Sequence, residues 1–153
     1  MRCVIQKVLN ASVEAEIDGE FTEVGAIRRG LLILIGIEKG DTIEDASWTA
    51  RKIAELRIFH NPVTNVTVSL SDMNLSVLIV SNFTLLADIR KGRRPDYASS
   101  ESGTNAEPLF NLVVKHMREQ GIHVETGSFG CTMHIHQVCE GPFTLLVDSR
   151  KKF

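Results

Sequence analysis

The sequence predicts an α+β fold, a single domain over residues 1–153 with a mainly antiparallel sheet and two helices. Three observations carry this. Apolar residues alternate near both ends of the chain, two internal segments repeat theirs at helical spacing, and one run, Leu31–Ile37, is apolar on both faces. A half-buried strand needs only alternation, whereas a run apolar on both faces belongs in the middle of a sheet.

Residues 3–17 alternate as a strand, with Val4, Val8, Val13, Ala15 and Ile17 as candidate core positions, and Asp18-Gly19 supplies a hairpin turn into Phe21–Val24. Arg29-Gly30 precedes the central run. Asp41-Thr42 offers an N-cap, and Ile43, Ala46, Trp48, Ala50, Ile53, Ala54 and Leu56 then recur at helical spacing, which predicts a helix over 43–56. Asn61-Pro62 is a turn; Val66, Val68 and Leu70 alternate as a short strand or extended loop; Leu75–Leu86 reads as a buried strand interrupted by polar groups. From Asp88 to Asn105 the chain is charged, small and rich in Gly and Ser, with neither period, which predicts a long loop of the kind that carries function. Leu109, Leu112, Val113, His116 and Met117 form a helical stripe closed by Gln120-Gly121, a helix over 106–119. Ile122–Val124, Thr132–Val138 and Phe143–Val147 complete the sheet, the last two joined across Glu140-Gly141-Pro142. The chain carries no internal repeat, low-complexity segment or interdomain linker.

Composition bounds the function classes. With 153 residues, 43% hydrophobic and 24% charged, the chain is of ordinary globular type. A domain this size buries about 68–70% of its unfolded surface, so its core needs no disulfide or metal staple. The net charge of −2 excludes a protein that coats nucleic acid through bulk positive charge. The charges are nevertheless segregated. Glu38, Asp41, Glu44 and Asp45 form an acidic stretch, while Arg90-Lys91-Gly92-Arg93-Arg94 and Arg150-Lys151-Lys152 are basic, which allows a focused site for an anionic ligand. No run approaches the roughly 18 to 20 apolar residues of a membrane helix, and the first residues lack a secretory signal, so a cytoplasmic location without membrane contact is expected. Cys3, Cys131 and Cys139, an odd set without C-x-x-C spacing, are expected to be reduced packing residues.

Three segments put polar groups or an irregular backbone where the pattern predicts core: Ser81-Asn82-Phe83-Thr84-Leu85, the basic loop 90–94, and Glu140-Gly141-Pro142-Phe143-Thr144. Each also has a purely structural reading: hydroxyls bonded to carbonyls at a strand end, a solvated surface run, and a simple turn. His134 and His136 with Cys131 and Cys139 suggest a metal site by count. On one strand over 131–139, however, the histidines share one face and the cysteines the other, so no metal is expected.

The three segments together resemble the D-aminoacyl-tRNA deacylase family. The likeness runs from Met1-Arg2-Cys3-Val4-Ile5-Gln6-Lys7-Val8 and Ala11-Ser12-Val13 through Gly30-Leu31-Leu32 and Gly36-Ile37-Glu38-Lys39-Gly40-Asp41-Thr42. It continues through Lys52–Phe59, Arg90-Lys91-Gly92-Arg93-Arg94-Pro95 and Thr126-Gly127-Ser128-Phe129-Gly130 to Gly141-Pro142. Two signature stretches depart from the family pattern. SQFTL is here Ser81-Asn82-Phe83-Thr84-Leu85, with an amide one methylene shorter, and NxGPVT is Cys139-Glu140-Gly141-Pro142-Phe143-Thr144, with a large ring for a small branched side chain.

The resemblance implies a barrel-like sheet and a cofactor-independent hydrolase that cleaves the ester joining a D-amino acid, and often glycine, to the terminal adenosine of tRNA. It also implies a homodimer in which the cis Gly141-Pro142 peptide reaches into the partner's pocket as a chiral gate. There its carbonyls hold the substrate's amino group, so that an L side chain clashes. A glycine lets backbone approach a ligand closely, and X-Pro is the bond for which cis costs little, about 0.5–1 kcal/mol. A related class uses a trans Gly-Pro with relaxed rejection of L substrates, and the sequence leaves the isomer here open.

Ser81, Asn82, Phe83 and Thr84 are then the catalytic segment. Thr84 is a candidate nucleophile, yet no histidine or carboxylate lies near it in sequence to act as base. The family resemblance suggests instead that backbone N–H groups around Phe83 and Thr84 polarise the ester carbonyl while the terminal 2′-OH of the tRNA helps activate water. Phe129, Gly130 and Met133 match an FGxxM stretch that holds the terminal adenine, an apolar ring and a thioether suiting a purine face. Arg90, Lys91, Arg93 and Arg94 are assigned to tRNA phosphates. Two further readings stay open: a non-catalytic module binding the aminoacylated tRNA end, and a family hydrolase of altered chirality acting on a small L-aminoacyl ester.

Overall fold

A computed structural model describes residues 1–152. Along the chain run β1 (Arg2–Ile17), β2 (Glu20–Ile27), β3 (Gly30–Gly36), α1 (Ile43–Ala54), β4 (Phe59–Asn61), β5 (Val66–Val68), β6 (Ser76–Ser81), α2 (Gly103–Glu119), β7 (His123–Thr126) and β8 (Met133–Asp148). Asp18 and Gly19 both take positive φ, 53° and 85°, and close the β1–β2 hairpin with Ile17 opposite Glu20.

The main sheet has the order β2-β1-β3-β6-β7, and β8 pairs with the other edge of β1. One long strand organises it: β1 carries β3 along residues 2–8 and β2 along residues 11–17 on one edge, and β8 along the other. These pairings are antiparallel, while β3–β6 and β6–β7 are parallel because α1 and α2 lie in the connections between them. The sheet curls until its ends meet. Gly25 of β2 lies so close to β7 that an added Cβ would stand 2.8 Å from the Thr126 carbonyl oxygen, so only glycine allows the barrel to close here.

The β3 run is apolar on both faces because both are buried. Leu31, Ile33 and Ile35 join Cys3, Ile5, Ala50, Ile53, Phe110 and Val113 under the helices. Leu32 joins Val8, Val13, Leu78 and Val80 inside the barrel. Thr42 caps α1 with a reciprocal capping box: its hydroxyl accepts from the Asp45 N–H and the Asp45 carboxylate accepts from the Thr42 N–H. The helix ends at Ala54, two residues before the predicted Leu56. Gly121, at φ 79°, follows the end of α2 as expected. That helix starts three residues earlier than predicted, at Gly103, because Gly103 and Pro108 mask its first turns from a propensity reading.

Three expectations are corrected. In β1, Cys3 and Ile5 are buried while Val4 is only partly so, because the strand changes phase around Lys7–Asn10, and Ile17 is exposed at the strand end, where the chain enters the Asp18-Gly19 turn. The polar end of the Leu75–Leu86 segment is not strand: β6 stops at Ser81, and Phe83–Leu86 form a 3-10 turn. The last two expected strands, Thr132–Val138 and Phe143–Val147, are one. β8 runs through Glu140-Gly141-Pro142 as one strand, and its register steps from Val8 opposite Cys139 to Gln6 opposite Thr144, so Lys7 alone faces the four residues 140–143.

Candidate active site

The end of β3 and the end of β6 build the site. Ser81 is the last residue of β6, and its neighbour Asn82 donates its N–H to the Ile35 carbonyl at 2.8 Å, continuing the parallel ladder for one bond. The chain then tightens into the 3-10 turn Phe83–Leu86, which Asn82 caps: its Oδ1 accepts the Thr84 N–H at 3.1 Å and the Thr84 hydroxyl at 2.5 Å. The shorter amide thus folds back onto its own turn. With the Thr84 N–H engaged, the Phe83 N–H is left without a partner among the described residues.

Beyond the turn, Asp88 and Asp96 exchange backbone hydrogen bonds of 2.7 and 2.9 Å, closing the 90–94 loop at its base. The chain returns along residues 97–101, where the Ser99 and Ser100 hydroxyls donate to the Leu86 and Phe83 carbonyls at 2.8 and 3.1 Å. The Glu101 N–H reaches the Ile37 carbonyl at 2.9 Å. Between the turn, this return segment, the start of α2 and residues 129–133 lies a pocket of about 550 Å³. Ser81, Asn82, Phe83, Phe129, Gly130 and Met133 all line it, so the structure brings two of the sequence-identified segments to one cavity. At its rim the Phe83 and Tyr97 rings meet edge to face, 5.1 Å apart.

Other assigned residues lie elsewhere. Thr84 does not line the pocket and is exposed, its hydroxyl held by Asn82 rather than by a base. Gly141 and Pro142 are joined by a cis peptide, are exposed on β8, and are not part of this pocket wall. Their bulge is tied down on both sides. Glu140 accepts a bidentate pair from Arg29, Nε at 3.0 Å and NH2 at 2.8 Å, and the Lys7 ammonium stands 5.2 Å from the centre of the Phe143 ring. The Arg29 guanidinium holds the Glu140 carboxyl below the usual carboxylate range, and Glu140 raises Arg29 in turn.

In the basic loop Arg90 is not free for a phosphate: its guanidinium and backbone N–H all bond Asp88, whose carboxyl they pull down to about 2. Lys91, Arg93 and Arg94 are exposed and make no ion pair among the described residues. The basic tail is largely internal in its partners. Arg150 pairs with Asp41 at 2.9 Å and Lys152 with Glu38 at 2.5 Å, and the Met1 ammonium also meets Asp41, at 2.8 Å.

The cysteines split. Cys3 is buried, with its thiol pushed up to about 12 by desolvation, whereas Cys131 lies at the pocket and Cys139 is exposed on β8. Cys131 precedes β8, and His134 and His136 flank Glu14, with nitrogens 3.9 and 3.4 Å from its Oε2. Among the described residues no group of three or more His, Cys, Asp and Glu side chains is placed to hold a metal ion. No helix among them is long and apolar enough to cross a membrane.

Sequence reading missed Tyr97, Ser100, Glu101, Gly103 and Cys131 as pocket residues. For the four of these within 88–105 the sole signal was the aperiodic length of that segment, which marks a functional loop without saying which side chains turn inward.

A curled sheet with a pocket at the ends of two parallel strands, roofed by an aromatic pair and a short backbone turn, defines a small-ligand site rather than an open nucleic-acid groove. Comparison with known proteins identifies the class. A sequence profile described as D-Tyr-tRNA(Tyr) deacylase matches residues 4–148, and the chain belongs to that family. It is 44% identical to a D-aminoacyl-tRNA deacylase of Thermotoga petrophila and 46% identical to one of Thermosipho africanus, each over the full length of both chains. It is 45% identical to a third of that name from Halalkalibacterium halodurans, over 98% of this chain and all of the relative. Among solved structures, one titled c-Myc DNA Unwinding Element Binding Protein is 32% identical with a TM-score of 0.85, covering 97% of this chain and 98% of that one. Another, titled as a probable eukaryotic D-amino acid tRNA deacylase, has a TM-score of 0.80 at 17% identity over 95% and 97%, a likeness of fold.

Proposed function

We infer that the chain hydrolyses the ester bond of D-aminoacyl-tRNA, releasing free D-amino acid and tRNA, with glycyl-tRNA as a second substrate and the cytoplasm as its place of action. The observation that carries this is the Phe83 N–H, without a partner among the described residues, on a residue that lines the same pocket as Phe129 and Met133. A terminal adenosine lying between the ring and the thioether brings its acylated ribose toward the Asn82–Thr84 turn. There the Phe83 amide polarises the ester carbonyl and stabilises the oxyanion that water creates. Thr84 is not the nucleophile in this mechanism: its hydroxyl already donates to Asn82, and it does not line the pocket.

The free edge of β8 supports the dimer. Among the described residues this strand pairs with β1 alone, and Ile135, Val138 and Leu146 are exposed along it, with Leu9 exposed on β1. A sixteen-residue edge carrying exposed apolar side chains is the kind of surface that proteins cover. A second copy seated there brings Gly141 and Pro142 toward the neighbour's pocket, where glycine leaves the backbone carbonyls bare for the substrate's amino group. Lys91, Arg93 and Arg94 follow the tRNA phosphates, with Arg90 joining once it leaves Asp88.

The experiment is hydrolysis of D-Tyr-, L-Tyr- and glycyl-tRNA by purified protein well below substrate concentration. Cleavage of the D and glycyl esters with the L ester spared is expected. Cleavage of none, with tRNA still bound, would leave the non-catalytic module; cleavage of L-Tyr-tRNA at the same rate would remove the gate.

A further inference from the structure

Among the described residues one acidic residue lines the pocket, and the reaction above leaves it unused. Glu101 stands on the pocket wall, and among the described residues no lysine or arginine lines that wall with it. Its Oε1 accepts the Ser102 N–H at 2.8 Å and the Asn105 Nδ2 at 3.3 Å, which fixes the side chain against the start of α2. The same backbone donor holds the carboxyl below its ordinary range, so it is anionic at neutral pH.

Its placement relative to the catalytic turn follows from β3. Asn82 and Glu101 hang from the carbonyls of Ile35, in β3, and Ile37, the residue just after it, and two residues of extended chain separate those carbonyls by about 7 Å. Both isoleucines also line the pocket, as its floor between the two. An α-amino acyl ester bonded at its carbonyl oxygen to one group and at its ammonium to another bridges roughly 6–9 Å, allowing about 2.9 Å for each hydrogen bond.

We propose that Glu101 is a specificity-determining residue that receives the α-ammonium of the aminoacyl ester while the Phe83 amide holds its carbonyl, so that the pocket selects esters of α-amino acids over esters of uncharged acids. The assignment rests on the ester-hydrolase reading. It gives the ammonium a charged partner inside the same subunit, alongside any backbone carbonyls that a second subunit brings. A carboxylate also discriminates where neutral carbonyls do so weakly, because a charge-assisted hydrogen bond is roughly twice as strong as a neutral one.

The test compares D-tyrosyl-tRNA with the tRNA ester of the corresponding D-α-hydroxy acid, in which a hydroxyl replaces the ammonium at nearly the same size. Glu101→Gln keeps an oxygen for the Ser102 N–H and removes the charge; Glu101→Ala removes both. With Glu101→Gln, kcat/KM for the tyrosyl ester is expected to fall about tenfold or more, mainly through KM, with the hydroxy-acid ester changed less than about twofold. Glu101→Ala is expected to add a small loss common to both substrates. Equal loss on the two esters in Glu101→Gln would make Glu101 a helix-start residue and overturn the assignment, as would no loss on either. Wild-type protein inert toward both esters would remove the hydrolase reading, and this assignment with it.

Discussion

Replacing Asn82 by Asp tests the oxyanion role of the turn with little structural disturbance. Asp caps a turn as well as Asn does, so the acceptors at 3.1 Å from the Thr84 N–H and 2.5 Å from its hydroxyl persist. What changes is charge. An oxyanion bonded to the Phe83 amide would lie about 5 Å from the new carboxylate, and two like charges at that separation repel by about 3 kcal/mol at an effective dielectric of 20. That is roughly a hundredfold in kcat. The assay is single-turnover and steady-state deacylation of D-Tyr-tRNA, with a thermal melt on the same sample. The Asn82→Asp protein should melt within about 2 °C of wild type while losing roughly two orders of magnitude in rate. Asn82→Ala, by contrast, loses the cap, about 1 kcal/mol, which lowers Tm by about 2–4 °C in a protein of this size. Wild-type turnover by the Asn82→Asp protein would show that negative charge does not develop beside this turn, and the assignment of the Phe83 amide would fall.

Gly25→Ala should destabilise the fold by about 1–3 kcal/mol in urea unfolding, since the new Cβ meets the Thr126 carbonyl oxygen at 2.8 Å and the Leu78 side chain at 3.3 Å; unchanged stability would mean the barrel seam is not this tight. Neutralising Lys91, Arg93 and Arg94 together should flatten the salt dependence of tRNA binding by about two units in log–log slope, whereas Arg90→Ala alone changes it little because Asp88 already engages that guanidinium. Asp88→Asn should steepen the slope by releasing Arg90. The Asp88 carboxyl, drawn down to about 2 by the Arg90 side chain first and its N–H second, has a folded pKa below the unfolded value of about 3.9. Its contribution to closing the loop is therefore present above about pH 4 and lost as pH falls toward 2. A carboxyl NMR titration with a midpoint near 4 would show that the clasp does not hold in solution.

Local signals in the chain were read correctly where local physics decides. Asp18-Gly19 makes the hairpin because consecutive positive φ values favour those residues, Thr42 starts a helix because its hydroxyl and Asp45 satisfy first-turn donors, and a run apolar on both faces can only be a strand covered twice. The motif segments 81–84 and 129–133 were legible through their family resemblance, and the structure brings Ser81, Asn82 and Phe83 of the first to one pocket with Phe129, Gly130 and Met133 of the second.

What required the tertiary structure is whatever depends on residues distant in sequence. The phase change in β1 and the four-residue bulge of β8 are two sides of one mismatch between strands more than 130 residues apart, so neither strand shows it alone. Arg29 reaches Glu140 only because β1 lies between their strands, with Gly30 and Cys139 both opposite Val8. Glu101 sat in a stretch with no period to orient it, and its place in the pocket is set by bonds between residues 99–101 and the chain just after β3, among them its own N–H to the Ile37 carbonyl. Sequence by itself determined most of the helices and strands, because propensity, capping and burial pattern act over a few residues; which segments meet around the pocket was decided by the curled sheet, because only long-range strand register fixes which side chains meet.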